Sequence, residues 1–104
     1  MKIKITSRKF KAKDILKEFI EDEAKRLERF DDGILDVDVV LSFIHNKDSI
    51  KNAEIKVKLP KKVLVANESS EEFTKSVTLA VEKLIRQIKQ LKSKKKSQIK
   101  DEQF

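Results

Sequence analysis

Cysteine, tryptophan and tyrosine are absent from this chain of 104 residues, and glycine, proline and histidine occur once each. Without cysteine it forms neither a disulfide framework nor a thiolate metal site, a composition that suits a reducing cytoplasm. One glycine is too few for a phosphate-cradling loop, and no HExxH, EF-hand or Walker-type pattern occurs. The lone histidine, His45, lies in the polar turn HNKDS without partners at triad spacing, so it reads as a surface residue. Glu21, Asp22 and Glu23 are consecutive and point in different directions around a helix, which makes them solvated charge rather than a metal site. No catalytic, cofactor or metal centre is visible, and the chain is not expected to be an enzyme. Long apolar runs are missing as well. The longest is VLVA, Val63 to Ala66, far below the roughly 20 residues of a membrane span. The opening MKIKITSRKFK lacks the apolar core of a signal peptide. These absences predict a soluble, cytoplasmic protein.

What the chain has in abundance is positive charge. It carries 25 Lys and Arg against 18 Asp and Glu, a formal +7, and the excess is uneven. Between Phe73 and Lys100, nine Lys and Arg face Glu82 alone, a net +8 that leaves −1 for the rest. Such asymmetry points to a polyanionic partner, nucleic acid or an anionic membrane surface. A lysine-rich solvated face is the alternative that composition leaves open.

The length fits one domain, able to bury about two-thirds of its unfolded surface. Ile3 to Ile5 alternates as a short, edge-like strand. A helix is predicted from about Ala12 or Lys13 to Phe30, where Leu16, Phe19, Ile20, Ala24, Leu27 and Phe30 recur at spacings of three and four. Acidic residues fill its early turns and Lys25, Arg26 and Arg29 its last, an order that complements the helix dipole. Gly33 follows, where a left-handed residue can close a helix. Leu35, Val37, Val39, Leu41 and Phe43 share one side of a second strand. Ala53 to Leu59 alternates again, with Glu54, Lys56 and Lys58 facing solvent, and Pro60 ends it. Val63 to Asn67 makes a further strand whose inward face is open: Val63 with Val65, or Leu64 with Ala66.

Ser69 or Ser70 is placed to cap a last helix, with Glu71 and Glu72 at its positive end. Its apolar stripe is Phe73, Val77, Ala80, Val81, Leu84, Ile88 and Leu91. The order β-α-β-β-β-α predicts one α+β domain over 1–93. Strand one lies parallel to its neighbour, the other strands form an antiparallel meander, and both helices cover one face of the four-stranded sheet. Beyond Leu91 the pattern fades, and 94–104 is expected to be a basic, disordered tail.

At about 100° per residue, the last helix leaves Lys75, Lys83, Arg86, Lys89 and Gln90 on or near the face opposite its stripe, with Lys92 and Lys94 to Lys96 beyond. A helix holds such charges at set distances, as phosphate recognition requires. Lys25, Arg26 and Arg29 join them in one basic surface if the helices pack side by side. With no Tyr or Trp, and six Phe mostly on apolar stripes, backbone and shape recognition is favoured over base stacking.

Several segments, in one register, resemble a known family. MKIKITSRKF resembles its first strand and turn. KEFIEDEAKRLERF, Lys17 to Phe30, resembles its first helix, with a signature at Arg26, Leu27 and Glu28. Val37 to Ser42 resembles its second strand, and Val63 to Lys94 its last strand and helix, including a K-L-x-R-Q pattern at Lys83, Leu84, Arg86 and Gln87. The family is that of the ribosome hibernation promoting factors and ribosome-associated translation inhibitors, and the resemblance covers residues 1 to about 94.

The resemblance implies a double-stranded-RNA-binding-like fold and, as partner, the small ribosomal subunit with its rRNA. It further implies occupancy of the decoding channel and ribosome hibernation under stress or in stationary phase. The protein is then expected to be cytoplasmic and monomeric off the ribosome, with no cofactor, metal, membrane or small-molecule substrate. Residue by residue, the resemblance covers Lys83, Arg86 and Gln87 in the last helix and Lys25, Arg26 and Arg29 near the end of the first. The chain departs in having Thr74 after Phe73, where relatives often carry an aromatic. It also stops at Phe104, where long members continue into a domain that pairs ribosomes, so it resembles the short form. Two other functions suit the same fold: a protein-binding modulator, as older family names for sigma-factor modulation suggest, and a general double-stranded RNA-binding protein.

Overall fold

In the computed structural model, residues 1–44 and 50–102 are described, with side chains through Ser93. His45 and the HNKDS turn lie outside the described residues. The elements follow the expected order: β1 (Lys2–Ser7), α1 (Asp14–Lys25), a 3₁₀ turn (Arg26–Arg29), β2 (Asp36–Phe43), β3 (Lys51–Lys58), β4 (Val63–Ser70) and α2 (Phe73–Glu102). The sheet order is β1-β2-β3-β4. β1 runs parallel to β2, with Ile3 opposite Val37 and Ile5 opposite Val39. The other two pairings are antiparallel, so Val37, Val57 and Leu64 stand in one row across the sheet, and Val39, Ile55 and Ala66 in the next.

These rows, buried to 5% exposure or less, form the floor on which both helices sit. α1 contributes Ile20 and Ala24, the 3₁₀ turn adds Leu27, and α2 contributes Val77, Ala80, Val81, Leu84, Ile85 and Ile88. Leu16, Phe19, Phe30 and Leu91 pack at its margin. Register also resolves the inward face of β4. Leu64 and Ala66 point into the core, and Val63 and Val65 are 55% and 43% exposed.

Three local features differ from the sequence reading. The helix beginning at Asp14 does not close through a left-handed glycine: Gly33 has no positive φ. Instead its last turn tightens to 3₁₀, and the Leu27 carbonyl accepts the Phe30 and Asp31 amides at 3.0 and 3.2 Å. Gly33 donates its own amide to Asp31 Oδ1 at 2.8 Å, an approach that a Cβ would crowd. Leu35 is 49% exposed, because β2 begins one residue later and Ile34 takes the buried place. Ser70 ends β4 rather than capping α2. Its hydroxyl accepts the Glu72 amide at 3.2 Å and thereby holds the tight turn into the helix.

A buried serine ties α2 to the sheet. Ser76 is fully buried, and its Oγ lies 2.8 Å from the Lys51 carbonyl oxygen and 2.7 Å from Ser70 Oγ. Beside it Phe73 stacks on Phe10 at 5.0 Å between centroids, while Phe43 meets both rings edge-on. The backbone of α2 continues beyond Leu91 to Glu102 across the segment expected as a tail. Lys, Gln and Glu are good helix formers, and extending a formed helix needs no new nucleus.

Candidate nucleic-acid interface

α1 and α2 run in the same direction over the sheet. The crossover from β1 forces α1 back along it, and α2 returns along β4, which is parallel to β1. Contacts between the two elements keep the same order along both. Thr78 donates to Glu23 Oε1 at 3.1 Å, and further along Lys92 donates to the Phe30 carbonyl. Lys89 Nζ sits over the Phe30 ring, 5.2 Å from its centroid. The end of α1 and its 3₁₀ turn therefore meets the later turns of α2.

The β3–β4 turn lies at that same end. Leu59 and Lys62 close it by exchanging backbone hydrogen bonds, and a cleft separates it from Leu91 and Lys92. Lys61 and Lys62 are thereby added to the basic end. Nothing in their local sequence marks them for it. They are turn residues some 30 positions from Lys92, brought near only by the return of β4 and α2.

The predicted residues divide by place. Lys25 and Arg29 are exposed beside this end. Arg26 is half-buried and paired with Glu23 at 2.7 Å, so its charge is offset locally. Arg86 and Gln90 point outward from α2. Lys83 is exposed, 4.0 Å from Glu68. Gln87 is turned toward the sheet, where its amide donates to the Val65 carbonyl at 3.2 Å.

Lys75 is exposed near the opposite end of α2. The Phe10–Phe73 stack brings a second basic segment beside it, the β1–α1 loop with Arg8, Lys9 and Lys11, all exposed. Lys9 in that loop holds φ at 66°, the single non-glycine residue with positive φ among those described. Thr74 is half-buried on the neighbouring turn. The outward face of α2 thus carries basic groups from Lys75 to Lys92, about 25 Å at 1.5 Å per residue.

The uncovered sheet face is different. Lys2, Asp36 and Lys58 stand in one row, and Lys4, Asp38 and Lys56 in the next, so opposite charges alternate across it. Asp38 Oδ1 is buried there without a hydrogen-bond partner, flanked in register by the two lysines. Among the described residues, no group of three or more His, Asp or Glu is placed to hold a metal ion, and no helix is long and apolar enough to cross a membrane.

The profile of the family described as Sigma 54 modulation protein / S30EA ribosomal protein matches residues 3–96. The chain belongs to this family. Solved structures agree with that membership in fold and in extent. A ribosomal subunit interface protein from Coxiella burnetii superposes with a TM-score of 0.81 at 25% identity, covering 89% of this chain and 99% of that one. The N-terminal domain of Protein Y from Thermus thermophilus superposes with a TM-score of 0.77 at 30% identity, covering 88% and 99%. No curated protein sequence matches the chain. As an S30EA family member, the chain is a ribosome-associated protein concerned with the regulation of translation.

Proposed function

We propose that this S30EA family protein binds the small ribosomal subunit through the outward face of α2 and the basic groups at its two ends, and that it silences the ribosome by occupying the decoding channel. The observation that carries the reading is the contrast between the two faces. Basic residues run along α2 with Glu82 as the one acidic residue from Phe73 to Ser93, while charges alternate across the open sheet. A surface lined by rRNA phosphates selects the first face and gains little from the second.

Inhibition is then stoichiometric occlusion in the cytoplasm by a protein that is monomeric off the ribosome and needs no cofactor, and stress or stationary phase is its setting. Residues 94–104 add affinity for any RNA rather than preference for one. Sedimentation with separated ribosomal subunits tests the partner: the protein should travel with the small subunit and be released by high salt. In vitro translation titrated against ribosome concentration tests the mechanism. About one protein per ribosome should be required, and a salt wash should restore activity. Silencing of the whole pool by a small fraction of one equivalent, irreversible on washing, would mean catalysis instead.

A further inference from the structure

Between the β3–β4 turn and the later turns of α2 lies a cleft of about 480 Å³ whose apolar floor the basic-face reading does not use. Leu59, Pro60, Ile88 and Leu91 make it apolar. Lys61, Lys62 and Lys92 surround it with positive charge, and Asp31 adds one carboxylate. Lys92 is steadied by its hydrogen bond to the Phe30 carbonyl, and Asp31 by the Gly33 amide on Oδ1, which leaves Oδ2 free to accept. An apolar floor with a few convergent polar groups, within the usual size of ligand sites, has the shape and lining that small-molecule sites share.

We propose that this cleft receives a single unstacked RNA nucleotide, its base against the aliphatic floor and its phosphates on the lysines. The inference rests on the RNA-binding reading and gives it a site for one base. Sequence-specific contacts to RNA favour bases splayed out of the stack, whose faces need an apolar surface and whose edges need hydrogen-bond partners. The lysines suit the phosphates on either side. The Asp31 carboxylate only accepts hydrogen bonds, so it matches the exocyclic amine of cytosine, adenine or guanine. Where cytosine carries that amine uracil carries the O4 acceptor, which a carboxylate repels, and only the ring N3–H is left to donate. Leu59, Pro60, Ile88 and Leu91 cover a base face by apolar contact rather than by aromatic stacking, so the base contact needs no Tyr or Trp.

The full chain, labelled with ¹⁵N, is titrated with CMP, UMP and inorganic phosphate by NMR, without ribosomes. CMP should shift the amides of Leu59, Lys61, Lys62, Ile88 and Leu91 and bind about tenfold more tightly than UMP, the scale of one hydrogen bond. Asp31→Asn, whose side chain both donates and accepts, should erase that preference while leaving phosphate-dependent shifts in place. Lys62→Glu should weaken all the nucleotides together. Equal shifts from phosphate alone, shifts spread evenly along α2, or tighter binding of a hexaglutamate peptide at the cleft would each overturn the proposal. Subunit sedimentation is read separately. A protein that binds the subunit but no nucleotide loses only the cleft, and one that binds CMP but no subunit loses the ribosomal reading.

Discussion

The side chain of Gln87 reaches out of α2 and donates to the Val65 carbonyl at 3.2 Å, on the outer edge of β4. β4 is a terminal strand of the sheet, and its outer backbone groups invite pairing with another chain. Gln87 covers one of them. A residue of the K-L-x-R-Q pattern therefore guards the sheet edge as well as lying beside the basic face.

Gln87→Ala should cost about 0.5–1.5 kcal/mol, the usual net worth of one hydrogen bond, and expose the β4 edge. Subunit affinity should change less than about threefold. Urea denaturation measures the first effect, and sedimentation equilibrium should show weak self-association absent from the parent. A large loss of subunit affinity with unchanged stability would make Gln87 an RNA contact instead.

Reversing Arg86 and Lys89 to Glu should nearly abolish subunit binding. Neither residue is buried, and Lys89 loses only its position over the Phe30 ring, worth about 0.5–1 kcal/mol at an exposed site. Each lost phosphate contact should also flatten the dependence of log affinity on log salt by about 0.7–0.9. Affinity measured across a salt series checks both effects, and an unchanged slope would remove these residues from the interface.

Lys61→Glu with Lys62→Glu should weaken subunit binding as much as Lys89→Glu, although these turn residues lie outside every helix. Lys75→Glu acts at the other end of α2, about 21 Å from Lys89 along the axis. Its effect should add to theirs in free energy, as expected of sites without shared partners. Competition binding of single and combined variants measures this, and strong non-additivity would show that the two ends are coupled.

Ser76→Ala should destabilise the fold by about 1–3 kcal/mol, because the Lys51 carbonyl loses a buried partner. With a urea slope of about 1–3 kcal/mol per molar, the midpoint should fall by about 1 M. A midpoint unchanged within error would mean that Ser70 or a water replaces the contact.

The alternating strands and the two apolar helical stripes were legible because each pattern has a single solution. β4 was not, since Val63, Leu64, Val65 and Ala66 are all apolar and only pairing with Ile55 and Val57 tells the faces apart. The end of α1 is not legible at Gly33, because a glycine after a helix can take a left-handed φ but need not, and here the 3₁₀ turn has already closed the helix on the Leu27 carbonyl. The basic stretch of α2 was plain, yet three of its members had second duties that only tertiary contacts reveal: Gln87 at the sheet edge, and Lys89 and Lys92 on Phe30. Lys61, Lys62 and the Arg8–Lys11 loop carry no mark in the sequence for a related reason. Their neighbours are set by topology, at sequence separations no local window spans.

α2 is one uninterrupted helix with a basic cluster toward each end of its packed length. If the proposed face binds rRNA, such an arrangement acts as a bivalent ligand with a stiff spacer: when one cluster lets go, the other keeps it at a high effective concentration for rebinding. Full departure then requires both to open together, so residence should be long even where each contact is weak and salt-sensitive. The same arithmetic supplies the exit. A competitor that occupies the ground under one cluster leaves the other holding alone, and dissociation then proceeds at the faster rate of a single weak attachment.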